Sequence, residues 1–276
     1  MDLGDIPGNA FQYTYSGLTG KPATWLILII LSQLCYIPLI GFVIVMILAG
    51  VRGDTLMAQL PLIAAGLAVM FLLILLLSSF YEGFMVHVMN KDPELPAFPD
   101  PWLLFGSGIR YTVIYFLYFL IPMLLVLATI AAAVLPLVNG PSTNTTATQM
   151  EMMLTMLGGF ALAFLSAVIL SLFWIIGIVR FARTGSVSEA FNFSGILSTI
   201  GRIGWGFYIM ALLILAILLI VFNVVVFVIQ TILGIIPLIG VVFTLIMLLI
   251  QVILGPFIAI FIHRYFSILY DCAEPA

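Results

Sequence analysis

Apolar positions along this chain gather into six long runs, at residues 25–50, 60–88, 111–138, 152–179, 207–233 and 238–262. An α-helix rises about 1.5 Å per residue and a bilayer's hydrocarbon is roughly 30 Å thick, so about 20 apolar residues are enough to cross it. All six runs meet that length. None shows the period-two alternation of a barrel strand, and a backbone in lipid must satisfy its own amides, so each run is expected to be a spanning helix. The first run starts only at residue 25 with no basic leader before it, which predicts that the N-terminus is retained.

The polar intervals predict helices lying at the membrane surface. After the fourth run, Ser186 and Glu189 read as a capping box. Phe193, Ile196, Leu197, Ile200 and Ile203 then recur at helical spacing, with Glu189, Asn192, Thr199 and Arg202 on the other face. Asp100 as N-cap and Pro101 at the first helical position open a second such segment over residues 102–109. Residues 91–96, interrupted by Pro93 and Pro96, read as a rigid loop, and residues 9–18 form a less regular first segment. Pro38 and Pro122 should kink spans one and three, and Pro237 marks the turn between spans five and six.

Composition fixes the solvent. Of 276 residues, 64% are apolar and only 7% charged, with a mean hydropathy of +1.35, whereas soluble domains carry roughly 25% charged residues. Eight Lys and Arg against eleven Asp and Glu leave a net charge of −3, so no basic surface exists for nucleic acid. Two cysteines, Cys35 and Cys272, make neither a disulfide framework nor a thiolate metal site. The cations are one-sided: Lys21, Lys91, Arg110, Arg180, Arg183, Arg202 and Arg264 fall at one end of the spans and only Arg52 at the other. The positive-inside rule then predicts a multi-pass protein of the plasma membrane with both termini in the cytoplasm. Asn144-Thr145-Thr146, in an outward loop, fits a glycosylation acceptor, a tripeptide that also arises by chance.

Self-similarity outlines a threefold parallel repeat within one membrane domain, 1–276, with units at 9–88, 97–179 and 186–262, each a surface segment plus two spans. Ala-Phe recurs at 10–11, 97–98 and 190–191, and Trp25 and Trp205 each follow 15 residues behind their alanine. Ile-Pro-Leu-Ile-Gly occurs at 37–41 and 236–240, but at unequal distances from those landmarks, which argues against strict repetition.

Candidate chemistry is sparse. Glu82 and His87 are the ionisable groups placed in spans, and such groups are functional candidates because lipid makes them costly. Five residues turn a helix through roughly 140° net, so the pair does not share a face as a proton dyad would. Gln33, Asn223, Gln230 and Gln251 are uncharged polar residues at depth, suited either to joining helices or to lining a polar path. No nucleophile elbow, phosphate loop or zinc helix occurs, so no metal, no cofactor and no catalytic residue is expected.

The chain resembles an uncharacterised prokaryotic integral-membrane family, domain of unknown function 4013. The likeness rests on Ala10-Phe11, on Gly83-Phe84, on residues 94–102 from Glu94 to Trp102 with Gly106 and Gly108, and on Ala190-Phe191 with Ile196 and Ile200. His87 stands where that family carries Arg or Lys. The resemblance implies a membrane-embedded module and supplies no catalytic residue. Together these readings predict an all-α, six-span protein that is not an enzyme: a module that organises membrane lipids or docks another membrane protein. The alternative is a passage for a neutral or lipid-like solute.

Overall fold

The computed structural model describes residues 2–50, 56–139, 146–234 and 239–273, and these are mostly helical with no strand among them. Helix α1 (Asp5–Gly20) leads into α2 (Pro22–Leu34) and α3 (Ile37–Leu48), followed by α4 (Leu56–Val88), α5 (Pro101–Asn139) and α6 (Thr146–Thr184). Two short helices, α7 (Val187–Ala190) and α8 (Phe193–Ile203), connect to α9 (Trp205–Gly234) and α10 (Ile239–Asp271). Six stretches are long and apolar enough to cross a membrane: Pro22–Leu48, Pro61–Val88, Pro101–Ala133, Gln149–Thr184, Trp205–Gly234 and Val241–Asp271. Arg52, Asn144 and Pro237 lie outside the described residues.

The six expected spans are present, but their ends move. Helix α5 starts at Pro101, α6 runs on to Thr184 and α10 to Asp271, because a helix does not stop where its hydrophobicity does. The separate surface helix expected over residues 102–109 is therefore the first part of α5. Asp100 does cap it, its carboxylate accepting the Trp102 N–H at 2.7 Å. At Pro38 the expected disturbance of the first span is a two-residue break in helical hydrogen bonding: α2 ends at Leu34 and α3 begins beyond Cys35 and Tyr36, whose backbones stay near the helical region. Pro122, by contrast, lies within the unbroken α5.

The expected capping box is also corrected. The N-cap of α8 is Asn192, whose side chain accepts the Gly195 N–H at 3.0 Å. Glu189 instead turns to an ion pair with Arg180, and Ser186 bonds Ser188. Thr199, expected on the polar face, is fully buried and donates to the Gly195 carbonyl at 2.9 Å, which satisfies its hydroxyl inside its own helix. A left-handed Gly185 (φ 69°) ends α6, and Gly204 (φ 91°) makes the corner between α8 and α9; both conformations favour glycine.

Helix α10 is the hub, touching α1, α2, α4, α6, α8 and α9. Burial concentrates at the end of the bundle that carries the cations, at Phe84–Val88 on α4 and Met89 just beyond it, Ile175–Phe181 on α6 and Tyr265–Leu269 on α10. Here tyrosines brace one helix on another, with the Tyr118, Tyr208 and Tyr265 hydroxyls donating to the carbonyls of Ala190, Leu172 and Ala211, each at 2.6 Å. Toward the opposite end, Ile47, Leu62, Val224 and Phe227 are exposed, and lipid supplies the contacts that the protein does not.

The connection from α4 to α5 is packed against α1 and α4. Leu95 is buried against Tyr13, Leu18 and Phe84, and the Tyr13 hydroxyl donates to the Glu94 carbonyl at 3.2 Å while Lys21 donates to that of Leu95. Each Ala-Phe landmark sets its phenylalanine on an aromatic ring of a span: Phe11 on Phe257, Phe98 on Phe84 and Phe191 on Tyr118, with centroids 5.1 to 5.6 Å apart. Helices α1 and α8 each lead into a pair of spans, whereas the middle pair is preceded by this extended loop.

Candidate functional site

The break between α2 and α3 opens a cavity. Proline has no N–H, so Pro38 cannot donate to the Leu34 carbonyl as a residue of an unbroken helix would. The chain steps aside at Cys35 and Tyr36, where the Tyr36 N–H returns to the Gln33 carbonyl at 3.0 Å. Between this step, α4 and α10 lies a cavity of about 760 Å³. Its polar wall brings together Gln33, Glu82 and Gln251 with Cys35, Tyr36 and Tyr81; Leu31, Leu39 and Leu248 are among its apolar walls.

Across α10 lies a second cavity of about 510 Å³, lined by Asn223, Gln230 and again Gln251. Five of the six polar positions singled out from the sequence therefore border two spaces that share one side chain. Gln33 donates to the Ser32 hydroxyl at 3.0 Å, and Asn223 to the Leu219 carbonyl on its own helix at 2.8 Å. Among the described residues, no donor or cation reaches the Glu82 carboxylate. His87 takes no part: its Nδ1 lies 2.8 Å from the Gly83 carbonyl one turn back.

Sequence reasoning missed one buried histidine. His263, 9% exposed, sits within α10 beyond the point where the sixth apolar run was ended. Its Nδ1 lies 2.7 Å from the Ala259 carbonyl, so that nitrogen carries the hydrogen and Nε2 accepts from the Tyr111 hydroxyl at 3.0 Å. The rings of Trp174 and Phe266 close around the pair, and neither Tyr111 nor His263 lines the two cavities. The aromatic Tyr111, Tyr115 and Phe119 on α5 was the available signal, since it marks a packed face and not a lipid-facing one.

At the cation-bearing end the arginines act as struts. Arg183 donates to the Met89 carbonyl at 2.9 Å, to Ser267 at 2.8 Å and to Asp271 at 2.9 Å. Arg264 donates to the Asn90 carbonyl at 3.0 Å and lies over the Tyr13 ring, 4.1 Å from its centroid. Both close the C-terminal end of α4, where carbonyls lack helical partners and the helix dipole favours cations. Arg110 reaches the Gly185 carbonyl at 3.2 Å. Burial of the Tyr13 phenol pushes its pKa up to about 12 against the opposing pull of Arg264, so it stays a neutral donor.

Fold and site together define a polytopic helical membrane protein with an open cleft among its spans, where a few polar side chains meet apolar walls. The chain belongs to the family described as Protein of unknown function (DUF4013), which matches residues 66–231, more than half of its length. That stretch contains Glu82, Asn223, Gln230 and the loop from Glu94 to Trp102, and leaves Gln33 and Gln251 outside. No curated protein and no solved structure matches the chain.

Proposed function

We propose that this protein is a non-enzymatic module of the plasma membrane, its cation-bearing end in the cytoplasm, that takes a lipid-like solute into the cavity around Glu82. The observation that carries the reading is the cavity itself. A span is broken beside it, aliphatic side chains of α3 and α10 form one side, and polar groups converge on the other, as small-molecule sites require. The clustering of Lys21, Arg110, Arg183 and Arg264 at one end supports the orientation. The enclosed Tyr111–His263 pair, with both ring nitrogens occupied, supports a structural role for the one buried histidine contact described.

Cys35 lines the cavity and provides the test. In the full chain carrying Cys272→Ser, reconstituted in lipid nanodiscs, N-ethylmaleimide should modify Cys35, and dodecanol should slow the reaction. Labelling that no amphiphile alters would contradict the proposal. Passage across the membrane is a second reading, favoured by Gln251 standing between both cavities. For passage, Gln251→Leu should reduce solute flux in proteoliposomes while dodecanol still protects Cys35; unchanged flux would leave binding alone.

A further inference from the structure

We propose that the cavity's ligand is an amine-headed amphiphile, seated with its ammonium against Glu82 and its alkyl chain between α3 and α10. The inference rests on the lipid-binding reading and adds the chemistry of the head group.

Charge comes first. Glu82 is the one carboxylate lining the cavity, and no Lys, Arg or His stands among the lining residues. An anionic head would find no counter-charge among these residues, whereas an ammonium supplies one to the Glu82 carboxyl.

Hydrogen-bond inventory agrees. Ser32 donates to the Ile29 carbonyl at 2.8 Å, Ser78 to the Leu75 carbonyl at 3.3 Å, and the Cys35 thiol to the Ser32 carbonyl at 3.1 Å. These donors are spent on their own helices. What remains open combines acceptors, both Glu82 oxygens and the amide oxygens of Gln33 and Gln251, with the Tyr36 and Tyr81 hydroxyls and the Gln251 amide N–H groups. An ammonium has three donors and no acceptor, which complements the acceptors of that set, Glu82 first.

Size excludes a bare inorganic ion as the occupant that fills the space: about 760 Å³ is drug-sized, and Leu39, Ile40, Leu248 and Val252 suit an alkyl chain.

The test uses the full chain with Cys272→Ser in phosphatidylglycerol nanodiscs, which contain no amine, and compares dodecylamine, dodecanol and dodecanoate as protectants of Cys35. Dodecylamine should protect at a concentration on the order of tenfold lower than dodecanol. Dodecanoate should protect least. Glu82→Gln should abolish the preference for the amine, and Glu82→Asp should keep part of it; because amine accumulation in the anionic bilayer is the same for all variants, this comparison isolates the cavity. Should Glu82→Gln fail to fold, Glu82→Asp and the three probes on the parent carry the test. Equal protection by amine and alcohol, or an amine preference that survives Glu82→Gln, would overturn the head-group assignment and leave lipid binding standing. Protection by none of the three would overturn both.

Discussion

Arg183 shows how little of the ionisable chemistry here is free to act. Its guanidinium joins Met89, Ser267 and Asp271, tying α4, α6 and α10 together. Arg183→Ala should cost about 2 to 3 kcal/mol, because it leaves the Met89 carbonyl short of a partner and Asp271 uncompensated. The check is the unfolding midpoint in detergent, and an unchanged midpoint would show the strut to be idle. Glu189 offers a pH signature. The hydrogen bond and charge of Arg180 hold its carboxyl below the ordinary value of 4.5. A depressed folded-state pKa stabilises above the unfolded value and loses that contribution as pH falls through the folded one. The parent should therefore lose stability on acidification below 4.5 more steeply than Glu189→Gln, as thermal melts across pH 3 to 6 would report. Glu82, Gln33 and Gln251 could each be picked out from sequence, since polar side chains at depth are costly. Their meeting could not, because they come from three separate spans. His263 was hidden by a local feature: the apolar run weakens at Ile262, yet the helix continues.

Helix pairing explains two of the three glycines in the family-like motifs, Gly83 and Gly108, whereas nothing in the structure explains Gly106. At Gly83 a Cβ would collide with the Leu104 carbonyl, and at Gly108 with that of Ser79. The two glycines let α4 and α5 cross backbone to backbone. Gly83→Ala should destabilise by more than about 2 kcal/mol, since relief requires moving a backbone and not a flexible side chain. Guanidine-free thermal or detergent titration would check it; a wild-type midpoint would mean that the crossing can open at no cost. The motif from Glu94 to Trp102 proves to be architectural in the same sense. Leu95 fills the core, Phe98 stacks on Phe84 and Asp100 caps α5. Helix type was legible because apolar runs of this length allow nothing else. Helix ends were not, because hydrophobicity reports where lipid stops and hydrogen bonding decides where the helix does. The interruption at Pro38 was legible only as a bend, since a proline alone does not reveal whether neighbouring helices will close or widen the gap.

In the whole molecule, a well-packed end with arginine and tyrosine struts grades into an opposite end that depends on lipid. The interrupted first span borders the space between them. This arrangement suits a module that is anchored at one face while admitting molecules laterally from the bilayer. Orientation can be read directly: a probe placed by Ser186→Cys, in a chain lacking Cys35 and Cys272, should resist an impermeant thiol reagent added to intact cells. Modification from outside would reverse the threading. The measurement closest to the central claim is a high-resolution structure of the full chain in lipid nanodiscs supplied with dodecylamine. Elongated density should lie between α3 and α10 with its head within hydrogen-bonding distance of Glu82. A cavity collapsed onto its own side chains, or density whose head lies away from Glu82, would contradict it.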